Sequence, residues 1–153
     1  MKIRIISVGN KIDTWLYGGI KNYEKKLPNY VNIEWIEIKP EKKFSSIEKK
    51  KKEEAIKIKN FIKESLYVCL DEHGNTFSSI DFSSILGKWM QNFPSITFVI
   101  GGADGLDADL LKGSLGNISL SKMTLPHQSV KLILIEQLFR AFSILDNHPY
   151  HRN

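Results

Sequence analysis

The chain has 153 residues, 42% of them hydrophobic and 25% charged, with 22 basic side chains against 17 acidic ones. That balance describes an ordinary soluble globular protein, long enough to bury a full core as one domain over residues 1–153. It excludes a membrane span, because no apolar run approaches ~20 residues. The single Cys69 excludes an internal disulfide.

The first residues, Met1-Lys-Ile-Arg-Ile-Ile, enter a strand pattern directly, with no signal-peptide cleavage site. A reducing cytoplasm is the expected compartment, with Cys69 a buried small residue in the apolar run Leu66–Leu70.

Ile3–Val8 reads as a strand buried on both faces and ended by Gly9-Asn10. Asp13 or Thr14 caps a helix that packs Trp15, Leu16, Ile20, Tyr23 and Leu27, closed by Pro28-Asn29. Val31–Ile38 alternates apolar and polar residues, the pattern of an edge strand with one wet face. After Pro40, Ser45 or Ser46 caps a Lys-rich helix, with Glu48 placed for a capping box with Ser45. Ile47, Ala55, Ile58, Phe61 and Ile62 form its packed side.

Leu66–Leu70 is a short apolar strand and Asp71–Asn75 a polar turn. Ser79–Asn92 is a helix packing Ile80, Phe82, Ile85, Leu86, Trp89 and Met90. Beyond Pro94 come the strand Ile96–Ile100, the run Gly101-Gly-Ala-Asp-Gly-Leu106, a short helix from Asp107 and the strand Ile118–Leu120. Pro126 is well placed to start a last helix that runs to about Leu145. Strand and helix alternate throughout, so the expected fold is α/β, a mostly parallel sheet with helices on both faces.

The net charge of +5 is concentrated in one place. Residues 39–64 hold ten Lys and five Glu, and the rest of the chain balances at twelve against twelve. A solvated helix face accounts for such a stretch, and so does a phosphate-contacting surface. Lys49–Lys52 points around all sides of a helix, which does not make a one-faced patch.

In a parallel sheet, ligands bind outside the carboxyl ends of the strands. Three such ends stand out: Leu70-Asp71, Gly101-Gly102 and Leu120 to Pro126. The glycine run is not G-x-G-x-x-G, which counts against a nucleotide-dependent enzyme of the ordinary doubly wound kind. The last helix is apolar over most of its circumference. Ser129, Glu136, Arg140, Ser143 and Asn147 form one narrow polar stripe, and Glu136 can pair with Arg140. Such a helix needs cover on more than one side, and a homodimer interface would complete it. The tail His148-Pro-Tyr-His-Arg152 has three readings: a metal site lacking the rest of its ligands, a frayed end, or an arm that contacts RNA and handles protons.

Four segments together resemble the RlmH family, the ribosomal RNA large subunit methyltransferases H of the SPOUT class. They are Phe98–Leu106, Leu120–His127, Glu136–Arg140 and Asn147–Arg152. The resemblance runs the length of the chain and implies S-adenosylmethionine as methyl donor, with no metal. It implies N3 of a pseudouridine in helix 69 of 23S rRNA, on the ribosome, as acceptor. It also implies a C-terminal trefoil knot and a homodimer. Carried over by motif, the cofactor-binding residues are Leu70, Gly102, Ser121, Lys122, Met123, Thr124, Leu125 and Pro126. His151 and Arg152 are the implied base and anion contact, Tyr150 positions the base, and His127 is a second candidate base. A non-catalytic ribosome- or RNA-binding factor using the Lys39–Lys63 surface is the alternative.

Overall fold

The computed structural model describes residues 1–43, 46–63 and 65–152. Its elements are β1 (Lys2–Val8), α1 (Thr14–Glu24), β2 (Asn32–Ile38), α2 (Ile47–Ile62), β3 (Tyr67–Thr76), α3 (Ser79–Asn92), β4 (Ser95–Ile100), α4 (Ala108–Lys112), β5 (Asn117–Ser119) and α5 (His127–Leu145). The five strands make one sheet in the order β2-β1-β4-β3-β5, with every pairing parallel.

The two-residue period of the strands sorts their side chains into two layers. Ile3 and Ile5 of β1 with Ile96, Phe98 and Ile100 of β4 face α1, α3 and α5. Ile6 and Val8 of β1 with Val99 of β4 face α2 and α4. β1 and β4 are apolar on both faces because both faces are covered. Phe98 is fully buried, and its truncation to Ala would cost about 3–5 kcal/mol. The alternating β2 is an edge strand, as its pattern implies.

Several boundaries differ from the sequence reading. Asp71–Asn75 is not a free turn but lies inside β3, where the pairing to β5 jumps from Leu70 opposite Ile118 to Asn75 opposite Ile118. The extra residues are looped out, and Gly74 lets the backbones meet: a Cβ there would lie 2.6 Å from the Asn117 carbonyl oxygen. Trp15, Ile47, Phe61 and Ile80 were expected on packed faces, yet each stands at the margin of its helix and is between 40% and 75% exposed, with Trp15 at 73%. Helical spacing finds the centre of an apolar face better than its edges.

Ser46 caps α2, accepting from the Lys49 amide at 3.5 Å. Ser45 and its capping box lie outside the described residues. α5 packs between α1 and α3 and begins immediately after Pro126. Ser143, read as part of the polar stripe, is instead buried and donates its hydroxyl to the Phe139 carbonyl at 2.8 Å. Among the described residues no helix is long and apolar enough to cross a membrane.

Candidate active site: a cleft at the strand ends and a pinned C-terminal arm

The carboxyl ends of β3, β4 and β5 open into a cleft of about 420 Å³. Leu70 and Asp71 form one wall, the Gly101–Leu106 loop a second, and the segment from Ile118 to Leu125 a third. These are the three strand ends that the sequence brings forward. The glycine loop is shaped by contact: a Cβ on Gly101 would sit 2.9 Å from the Gly105 carbonyl carbon and from Leu106 Cγ. Gly102 and Gly105 pair across the tight turn. The third wall is braced from within, because Ser119 donates its hydroxyl to the Ser121 carbonyl at 2.7 Å and Ser121 Oγ accepts from the Met123 amide at 2.9 Å.

His127, the first residue of α5, closes the floor of the cleft beside Val130. Its ring packs on Gly9, where a Cβ would come within 2.7 Å of Nε2. That nitrogen is shielded from solvent and has no hydrogen-bond partner among the described residues. Burial pushes the imidazole pKa down, the nearby Lys131 ammonium adds to the effect, and the Val8 backbone opposes it. His127 is therefore held neutral.

One turn on, Lys131 is fully buried and donates Nζ to the Asn10 carbonyl at 3.2 Å. Burial lowers its pKa against the pull of Glu37 and Asp13. Gln128 donates to the Lys11 carbonyl at 3.2 Å and accepts from the Asp13 amide at 3.3 Å. The β1–α1 loop is thus fastened to the first turns of α5. Lys131 lies outside the polar stripe of Ser129, Glu136, Arg140, Ser143 and Asn147 expected on this helix. A lone cation in an otherwise apolar stretch was the available signal.

The tail is not frayed. Glu136 Oε1 accepts from Arg140 Nη2 at 2.5 Å and Nε at 3.1 Å, and from the Tyr150 hydroxyl at 3.0 Å. Glu136 Oε2 accepts from Gln137, whose Oε1 in turn accepts from Ser79. The Tyr150 ring lies 4.5 Å from that of Phe139, centroid to centroid, and the Arg140 guanidinium sits 4.7 Å from the Tyr150 centroid. Burial, followed by its hydrogen bonds to Tyr23 and Glu136, raises the Tyr150 pKa, so the phenol stays protonated. Arg140 Nη1 lies 3.2 Å from His151 Nδ1. A guanidinium only donates, so Nδ1 is the acceptor and Nε2 carries the proton. The expected Glu136–Arg140 pair is present, as the hub of this arm.

Of the residues singled out from sequence, Leu70, Gly102, Ser121, Met123, Thr124, Leu125 and His127 line the cleft, while Lys122 and Pro126 belong to the same loop without lining it. Tyr150, His151 and Arg152 do not line it. Tyr150 and His151 dock against Glu136 and Arg140, which lie about 13 Å or more along α5 from His127 at 1.5 Å per residue, and Arg152 is exposed beyond them. Asp71, Glu72 and Val130 also line the cleft.

Leu70, Ile100, Leu106 and Leu120 give the cleft an apolar lining interspersed with Ser121 and Thr124, and its volume is that of a small-molecule site. Residues 1–151 match the family model described as predicted SPOUT methyltransferase. The chain therefore belongs to the SPOUT methyltransferases. The ribosomal RNA large subunit methyltransferase H of Methylobacillus flagellatus is 40% identical over 154 residues, covering 99% of both chains. That of Burkholderia cenocepacia is 42% identical over 155 residues, again covering 99% of each. Within the class, then, the chain is a member of the ribosomal RNA large subunit methyltransferase H family. A solved structure, a probable methylase family protein from Haemophilus influenzae Rd KW20, shares the fold with a TM-score of 0.53 at 12% identity, covering 99% of this chain and 70% of that one.

Proposed function

We propose that this protein methylates N3 of a pseudouridine in helix 69 of 23S rRNA on the ribosome, using S-adenosylmethionine. Full-length similarity to ribosomal RNA large subunit methyltransferases H carries the reading, and the cleft supplies a site that fits it. Leu70, Gly102 and the loop from Ser121 to Pro126 would hold the cofactor, which supplies an electrophilic methyl group. Asp71 and Glu72 at the rim suit a cationic sulfonium. The trefoil knot belongs to the same proposal, supported by β5 lying outside β3 and by α5 returning between α1 and α3.

The residues of the arm handle the acceptor. The imide N3 must give up its proton, and the anion spreads onto the flanking carbonyl oxygens. With Nδ1 taken by Arg140, His151 presents Nε2–H, a donor aimed at such an oxygen rather than a base. The N3 proton passes to His151 Nδ1 when the ring releases Arg140, so the same imidazole donates while docked and accepts once released. Arg152, exposed at the tip, supplies a cation for the anion or for a phosphate. Tyr150 stays protonated and holds the arm to Glu136. His127 is neutral, and its Nε2, shielded from solvent, packs on Gly9, which leaves it as a floor residue.

Cleft and arm lie on different stretches of one α5, so the reaction needs a homodimer in which each cleft meets the partner's arm. Ile133 on the outer side of α5 is only half-buried, and Trp15 and Met123 are exposed at 73% and 77%. These apolar groups support a second copy as cover. The test mixes two inactive variants, one ending after residue 148 and one carrying Gly102→Trp. Random exchange makes about half the dimers mixed, each with one intact composite site, so about a quarter of wild-type activity returns. No recovery, with exchange verified by mass spectrometry, would mean that each site is built within one chain.

A further inference from the structure

The lysine-rich stretch is sorted by α2 more sharply than its sequence suggests. Ala55, Ile58 and Ile62 bury one side against the sheet. Lys49, Lys52, Ile56 and Lys59, spaced three, four and three residues apart, are all exposed and share an arc of about 80° at 100° per residue, along one flank of the buried side. Lys57, on a neighbouring row, is held by Glu41 at 3.2 Å. Lys49, Lys52 and Lys59 make no ion pair among the described residues, although Glu48 and Glu53 flank the row. Ile56, 54% exposed, stands in the middle of it.

The row is also placed. Because α2 runs antiparallel to the parallel strands, its N-terminal half lies at the end of the sheet that carries the cleft. The Glu54 carboxylate reaches the glycine loop, where a Cβ on Gly102 would be 3.7 Å from Oε2. From Lys49 to Lys59 the row spans about 15 Å, leading away from the cleft across the face opposite α5. That face stays open when α5 is covered by a second copy.

We infer that this exposed flank of α2 is a phosphate-gripping surface for the RNA strand flanking the methylated nucleotide, an inference that rests on the rRNA reading above. The three ammonium groups track the backbone, and Ile56 lies against the sugars between them. The partner is RNA by charge: the local excess of five positive charges sits in a chain that is otherwise balanced.

The experiment compares full-length K49Q/K52Q/K59Q with K25Q/K88Q/K112Q, which removes the same charge from exposed lysines on other elements. Each is titrated with naked large-subunit rRNA and with assembled large ribosomal subunits across a salt series, beside calorimetry with S-adenosylmethionine. The row variant is expected to keep cofactor binding and its melting temperature. Its log–log salt slope for naked rRNA should be shallower by about 2, so its affinity deficit narrows by ~15-fold between 50 and 200 mM salt. The control variant should keep most of the wild-type slope. Equal slopes for the two variants would overturn the inference. So would a loss confined to assembled subunits, which would assign the face to a ribosomal protein. Failure of the wild type to bind S-adenosylmethionine would instead sink the methyltransferase reading and leave the RNA titration to stand alone.

Discussion

Glu136 is the residue on which the C-terminal arm hangs, and its removal gives a measurable quantity. Replacing it with Ala deletes the carboxylate that accepts from Arg140 Nε and Nη2, from the Tyr150 hydroxyl and from Gln137. The pair with Arg140 is partly solvated, with side chains 24% and 17% exposed, so it is worth only about 0.5–1 kcal/mol. The bond from Tyr150 to an ionised acceptor adds about 1.5 kcal/mol. Glu136 and Arg140 share α5, so of these bonds only that from Tyr150 joins arm to helix, and about 1.5 kcal/mol of arm docking is lost, a shift of ~13-fold toward the undocked arm. Glu136→Gln keeps an acceptor for both partners and should lose about 1 kcal/mol, near 5-fold. Single-turnover methyl transfer to large-subunit rRNA, paired with amide exchange at residues 147–152, reads both effects. Turnover should fall in the order wild type, Gln, Ala, with exchange rising in step and cofactor affinity unchanged. An Ala variant that exchanges faster yet turns over like wild type would show that the arm plays no part in the reaction.

The remaining predictions concern the cleft. Because burial depresses the His127 pKa below its ordinary 6.5, the unfolded chain takes up a proton that the folded chain refuses. Stability is therefore full above pH 6.5 and declines as pH falls through 6.5 toward the folded value. Denaturant melts of wild type and His127→Asn between pH 7.5 and 5 should converge as pH falls, and parallel curves would place the titration elsewhere. Gly101→Ala puts a methyl group 2.9 Å from Gly105 and Leu106. It should cost about 1–3 kcal/mol and weaken S-adenosylmethionine binding, whereas an unchanged melting temperature would show that the glycine turn yields freely.

Much of this was legible in the residues, and for physical reasons. The apolar strands around Ile6 and Phe98 and the punctuation at Pro94 and Pro126 set the alternation of elements, because both faces of a parallel sheet must be covered. The cleft followed from one rule about strand ends applied three times. What the sequence could not show was distance. Tyr150 and His127 are both close to α5 in the chain, and only the helical rise separates arm from cleft. The loop inside β3 was hidden because residues Asp71–Asn75 have turn chemistry while their neighbours still pair with β5. Ser143 looked like a stripe residue because a buried hydroxyl that bonds to the carbonyl four residues back is indistinguishable from an exposed one by spacing alone.

α5 joins these parts, and its fastening explains why a buried lysine is tolerated. A solitary buried ammonium is costly, and replacing such a group with an apolar one of similar shape is often harmless to stability. Lys131 nevertheless binds Asn10, one turn from the bonds of Gln128 to the same loop, and so fixes the rotation of α5 about its axis. A slip of one residue would turn the helix by about 100°. That would carry His127 off the cleft floor and swing Glu136 and Arg140, with the docked arm, away from the outer side. If two copies pair α5 against α5 about a two-fold axis, the offset between cleft and arm is set twice by the same helix. An error in its rotation would therefore misplace both composite sites at once. On this account Lys131 serves registry more than stability, since it ties the end of β1 to the helix that, in the proposed dimer, presents one subunit's arm to the other's cleft.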